Sequence, residues 1–255
     1  MKIPLGPRQL AYQSVGSGPV LVLLHAFPFD GRMWNQTAAA LASHRRVITP
    51  DMRGFGLSEL GPGRFSIADL ADDLAALLDA LDLPAATVGG MSMGGYVALA
   101  FARRHGNRLK SLILADTKAA ADSPEARQGR EAAISLVQER GVAAFVEKQI
   151  PRLLSASASD GLRAEMRALG AQPADTVIAA IRALRDRPDR TAELPEIAVP
   201  TLVVVGSDDA LSPPAEARAM AAAMPNARVA EIPGAGHLSN LENPGAFTAA
   251  LAGFN

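Results

Sequence analysis

The sequence predicts a mostly parallel, doubly wound α/β sheet with a helical cap inserted into it, and three observations carry that prediction. Short apolar runs such as 20–24 are hydrophobic on both faces, as strands must be in a sheet covered by helices on both sides. These runs alternate with stretches of helical spacing, the order a doubly wound sheet requires. From 117 to 196 the alternation stops, then resumes at 200. The chain has 255 residues, enough for one large domain with an insertion.

Taken in order, 8–15 reads as an early strand. Gly16-Ser17-Gly18-Pro19 then turns the chain into the run 20–24. A loop, His25-Ala26-Phe27-Pro28-Phe29-Asp30, leads to a helix over 34–43, a strand over 46–49 and the glycine-broken loop 51–58. Ser66 followed three residues later by Asp69 is a helix-start signal. Behind it Ile67, Leu70, Leu74, Leu77, Leu78 and Leu81 recur on one helical face until Pro84. A strand ending at Gly89-Gly90, a tight turn at Ser92 and a helix follow, then a buried strand over 111–116. The stretch 117–196 is rich in Ala, Arg, Glu and Leu, has no strand-like run, and is punctuated by Pro124, Gly141, Pro151, Gly161 and Pro173. A strand at 201–205, a helix at 214–224, a strand at 228–232 and a helix at 244–251 complete the chain. The expected division is a sheet domain over 1–116 and 197–255, with a helical cap over 117–196.

Composition excludes several classes. Lys plus Arg (25) nearly cancels Asp plus Glu (26) and no basic block stands out, which argues against nucleic-acid and anionic-membrane partners. The absence of cysteine rules out disulfides, thiolate metal sites and a thiol nucleophile. Four scattered histidines argue against a metal centre. Pro4 and Pro7 fall where a signal peptide needs its apolar helix, and the run 20–24 is too short to cross a bilayer, so the sequence reads as cytoplasmic.

The chemistry centres on Gly90-Met91-Ser92-Met93-Gly94. A serine on a sharp strand-to-helix turn needs a strained backbone, and glycines two before and two after let strand and helix approach closely. The helix that starts there aims free N–H groups at whatever lies beside the hydroxyl. A serine hydroxyl is a weak nucleophile, so Ser92 needs a base and a group to orient it. His237, in the loop after the last strand, suits the base, whereas His44 and His105 sit beside arginines near helix ends. The orienting acid is expected at Asp209 in Gly206-Ser207-Asp208-Asp209, with Asp208 and Asp116 as alternatives. The Met93 and Phe27 backbone N–H groups are the expected oxyanion donors. His25 is expected to fix its own loop, and it joins Phe29, Met91 and Leu238 as substrate-pocket residues, with Phe27 and Met93 as further apolar walls.

These motifs resemble the α/β-hydrolase superfamily over essentially the whole chain: His25-Ala26-Phe27-Pro28, the loop 51–58, the serine turn, Gly206-Ser207-Asp208-Asp209 and Gly234-Ala235-Gly236-His237. Within it, 61–70 and 237–244 are similar to the branch holding 3-oxoadipate enol-lactonases and small carboxylesterases. The resemblance implies an α/β-hydrolase fold and a cofactor-free hydrolase, with Ser92, Asp209 and His237 as catalytic triad and the Phe27 and Met93 amides as oxyanion hole. Ala26 stands where glycine is usual, which argues against bulky tertiary-alcohol esters. The cap has no tryptophan, so no residue set there is committed to a dicarboxylate-derived lactone. The expected partner is a small, mostly apolar short-acyl ester or lactone. Perhydrolase (haloperoxidase) chemistry, carbon-carbon hydrolysis on the same triad, and a non-catalytic ligand receptor remain the alternatives.

Overall fold

The computed structural model describes residues 1–254. Eight strands form one sheet: β1 (Lys2–Leu5), β2 (Arg8–Val15), β3 (Val20–Leu24), β4 (Arg46–Pro50), β5 (Ala86–Met91), β6 (Leu109–Ala115), β7 (Thr201–Gly206) and β8 (Ala227–Ile232). Their order across the sheet is β1-β2-β4-β3-β5-β6-β7-β8. β1 pairs antiparallel with β2 and β2 antiparallel with β4, while every other pairing is parallel. β5 and β7 are buried along their whole length, as the doubly apolar runs require. β1 escapes sequence reading because Pro4 and the exposed Lys2 break any apolar alternation, and only its pairing with β2 makes it a strand.

The helices are α1 (Asn35–Leu41), α2 (Ile67–Ala80), α3 (Met93–His105), α4 (Pro124–Leu153), α5 (Asp160–Leu169), α6 (Ala174–Arg185), α7 (Pro214–Ala222), α8 (Ser239–Glu242) and α9 (Pro244–Ala252). At α2 the Ser66 hydroxyl accepts from the Asp69 N–H while the Asp69 carboxylate accepts from the Ser66 N–H, so two otherwise orphaned donors are satisfied. Its face of Ile67, Leu70, Leu74, Leu77 and Leu78 is buried. The helix expected over 34–43 is a 3₁₀ turn, Gly31–Trp34, followed by α1. Its start is set by Asp30, whose carboxylate accepts from the Arg32 N–H, so the chain turns three residues earlier than the apolar spacing suggests.

Between β6 and β7 the described chain is helical: α4, α5, α6 and a 3₁₀ segment, Thr191–Glu196. Gly141, at φ 77°, breaks α4 into two stretches. Pro124 and Pro173 start helices, where the missing donor costs little, Gly161 lies in the first turn of α5 and Pro151 in the last turn of α4. This helical segment is tied to the sheet by Gln172, which donates to Asp30 and accepts from the Gly56 N–H, each at 2.9 Å. Thr176 Oγ1 adds a bond to Gly54 O, also at 2.9 Å.

No helix among the described residues is long and apolar enough to cross a membrane.

The Ser66 cap gives the fold its simplest test. Ser66→Ala is expected to cost about 1 kcal/mol, read as a lower urea midpoint at unchanged slope.

Candidate active site

β3 has β4 on one side and β5 on the other, so the chain reverses its direction of growth across the sheet between β3 and β5. Loops beyond the carboxyl ends of strands at such a reversal form the natural crevice of an open sheet. Phe27 follows β3, Ser92 follows β5, Asp116 follows β6, Asp209 follows β7 and His237 follows β8.

Ser92 occupies a strained conformation, φ 52° and ψ −111°, between β5 and α3. A Cβ on Gly90 would stand 2.1 Å from Gly94 O, and one on Gly94 would stand 2.3 Å from Leu24 O. The turn therefore closes only with hydrogen at both positions. The Ser92 backbone is held from the neighbouring strand's end, its N–H donating to Ala115 O (2.9 Å) and its carbonyl accepting from Thr117 Oγ1 (2.8 Å).

His237 Nε2 lies 2.8 Å from Ser92 Oγ and its Nδ1 2.8 Å from Asp209 Oδ2. Asp209 is 3% exposed and His237 4%. Burial opposes ionisation of Asp209, but bonds from His237 and from the Ser212 and Leu211 N–H groups outweigh it and hold the carboxyl below its ordinary range. An ionised carboxylate only accepts, so Nδ1 carries the proton. The Nε2 lone pair is then left for the serine hydroxyl. Asp208 is exposed and bonded to the Ser207 hydroxyl, so of the two adjacent carboxylates only Asp209 meets the ring.

Asp116 does not bond His237. One of its oxygens accepts from the Gly206 N–H at 2.8 Å and the other from the Ser239 hydroxyl. Complete burial pushes its carboxyl up to about 7, against the pull of His237. The two aspartates thus differ by environment: the donors around Asp209 outweigh its burial, whereas the two that reach Asp116 do not.

Phe27 and Met93 both line the cavity that Ser92 and His237 open into, which measures about 330 Å³. His25, Phe29, Met91 and Leu238 do not. All four are fully buried, the last three in the core cluster. Met91 ends the fully buried β5 and Leu238 precedes α8, and both side chains are taken up by the core. His25 accepts from the Met52 N–H at Nε2 (2.9 Å) and donates from Nδ1 to Ala26 O (3.0 Å). It binds the loops after β3 and β4 together, and burial keeps its pKa low.

The cavity walls are more polar than expected. Lys118, Arg130 and Arg152 line them, beside Asp122 and Glu125. Asp122 is fully engaged: Arg130 Nε lies 3.0 Å from one oxygen and Arg187 Nη1 2.7 Å from the other. Burial resists, yet these two guanidinium groups hold its carboxyl below the usual range. Arg187 also stacks on the Tyr96 ring at 4.2 Å. One signal for this wall was present in the sequence. Ala126, Gly129 and Ala133 recur at helical spacing on α4, small residues that leave room beside Arg130.

Residues 21–251 match the model of the alpha/beta hydrolase family. The chain belongs to that family. It is similar to a thermophilic esterase from Thermogutta terrifontis, solved with malate bound, at 41% identity and a TM-score of 0.94 over 99% of this chain and 96% of that one. It is similar to the enol-lactonase from Burkholderia xenovorans LB400 at 31% identity and a TM-score of 0.92, over 99% and 98%. A Mycobacterium tuberculosis protein bearing a provisional non-heme bromoperoxidase name is 32% identical over 96% of this chain and 97% of its own. The fold and the esterase and enol-lactonase relatives make this a hydrolase of that family.

Asp116 makes stability depend on pH. Its folded pKa of about 7 stands above the unperturbed 3.8, so the folded state holds the proton more tightly. The stability conferred is complete below pH 3.8 and is lost as pH rises through 7. Urea unfolding of wild type and Asp116→Asn at pH 4 and pH 8 is expected to shift their difference by on the order of 2–4 kcal/mol in favour of the variant at high pH. A pH-independent difference refutes this.

Proposed function

We propose that this protein is a serine hydrolase of small carboxylic esters and lactones. The observation that carries the reading is the unbroken relay Asp209–His237–Ser92, 2.8 Å at both links. Ser92 Oγ attacks the carbonyl carbon as His237 Nε2 takes its proton, and Asp209 stabilises the imidazolium while staying ionised. Negative charge gathers on the carbonyl oxygen, where the Phe27 and Met93 N–H groups serve as donors. Losing one such donor typically costs about 3 kcal/mol of barrier. His237 then gives its proton to the leaving alcohol. Water, deprotonated by the same imidazole, releases the acid from the acyl-enzyme.

The segment 117–196 acts as a cap over this site. It supplies most of the cavity wall, and its bonds from Gln172 and Thr176 seat it on the loops after β3 and β4. Phe27, Met93, Phe145 and Leu153 offer an apolar surface to a short acyl chain. Lys118, Arg130 and Arg152 suit a substrate with a polar or anionic end better than a wholly apolar one.

A second reading is supported by the similarity to the bromoperoxidase-named relative: hydrogen peroxide in place of water takes the acyl group from Ser92 and leaves as a peracid. Peroxide-dependent bromination that vanishes in Ser92→Ala, combined with weak ester turnover, would favour it.

Hydrolysis of short p-nitrophenyl esters and labelling by an organophosphonate test the main reading. Wild type is expected to hydrolyse them and to label at Ser92, and Ser92→Ala to do neither. Asp209→Asn is expected to lower kcat by roughly 10³–10⁴, whereas the exposed Asp208→Asn stays within about twofold. Equal losses from both aspartates would refute the assignment of the acid.

A further inference from the structure

The loop that carries His237 and the turn after it are bound to the helical segment by two hydrogen bonds. The His237 N–H donates to Leu153 O at 3.0 Å. The Glu242 carboxylate accepts from the Gly236 N–H at one oxygen and from the Ser155 N–H at the other, each at 2.8 Å. One rigid group therefore bridges the residue before the imidazole and the segment that leaves α4. The approach is close, since a Cβ on Gly236 would stand 2.7 Å from Ser155 N. Leu153, whose carbonyl receives the His237 N–H, also forms part of the cavity wall.

We propose that Glu242 is a positioning residue that locks segment 153–155 to the His237 loop, so the imidazole stays over Ser92 only while that segment is seated. The inference rests on the serine-hydrolase reading and extends it, because it makes the base sensitive to the wall the substrate touches. A carboxylate suits the task since both its oxygens accept. Neutral glutamine keeps one accepting oxygen and presents an NH₂ to the second N–H, so it can hold one strand of the bridge but not both. His237 is already held from the acid side by Asp209, and Ser239 is held by Asp116. On the side toward the helices Glu242 reinforces the His237–Leu153 bond, tying Gly236 to Ser155.

The test compares wild type, Glu242→Gln, Glu242→Ala and Arg167→Ala, the last removing an exposed ion pair to Glu147 within the helical segment, neither residue of which lines the cavity. Each is titrated for active sites with the organophosphonate, then assayed with p-nitrophenyl acetate, and its folded fraction is read by circular dichroism. Both Glu242 variants are expected to lose about 10- to 100-fold in labelling rate at Ser92 and in kcat per titrated site, with KM within about twofold. Arg167→Ala is expected to keep the wild-type labelling rate. The proposal is overturned if Glu242→Gln labels at the wild-type rate, if its loss merely matches a loss of folded protein, or if Arg167→Ala loses as much. A wild type that takes no label at Ser92 overturns both this inference and the hydrolase reading. A labelled wild type with unaffected Glu242 variants overturns this inference alone.

Discussion

The contact on which the rest depends is the approach of α3 to the ends of β3 and β5 at Gly90 and Gly94. Their missing side chains let Ser92 sit at positive φ, and the hydroxyl is thereby held clear of both strand and helix. Strain of this kind lasts only where the surroundings over-determine it. Here β5 is fully buried, α3 is buried along Met93, Gly94, Gly95, Val97 and Ala98, and the Ser92 backbone is bonded to Ala115 and Thr117. The core of the sheet thus sets the geometry of one side chain at its rim.

Around that rim, similar side chains acquire different properties from their neighbours. Asp209 receives four hydrogen bonds, from His237, Leu211 and twice from Ser212, and stays ionised despite burial. Asp116 receives two and is pushed up to about 7. Two carboxylates on adjacent strand ends therefore hold different partners: one bonds the imidazole, the other ties the end of β6 to β7 and to the loop beyond His237.

The core of the fold was legible because continuous apolar strands and the Ser66 start signal are local patterns. β1 was not, because its strand character comes only from pairing with β2. Ser92, Asp209 and His237 could be named since each follows a recognisable strand and chemistry restricts the residue types. His25, Phe29, Met91 and Leu238 are buried and do not line the cavity, since nearness to a reactive residue along the chain does not fix which side of the backbone a side chain takes. Arg130 and Arg152 sit on a helix whose periodicity reports a buried face, and sequence does not tell which part of that face meets a ligand rather than another helix.

The insertion point of the helical segment, between β6 and β7, also orders events in time. A chain made from its amino end exposes Ser92 and most of the cavity wall while the residues carrying the acid and the imidazole are still unmade. Through that interval Ser92 lacks both side chains that line up behind its hydroxyl in the finished fold. The line from Asp209 through His237 to Ser92 is assembled only when β7, β8 and the loop after them have joined the sheet, so the helical segment is made before the site it walls.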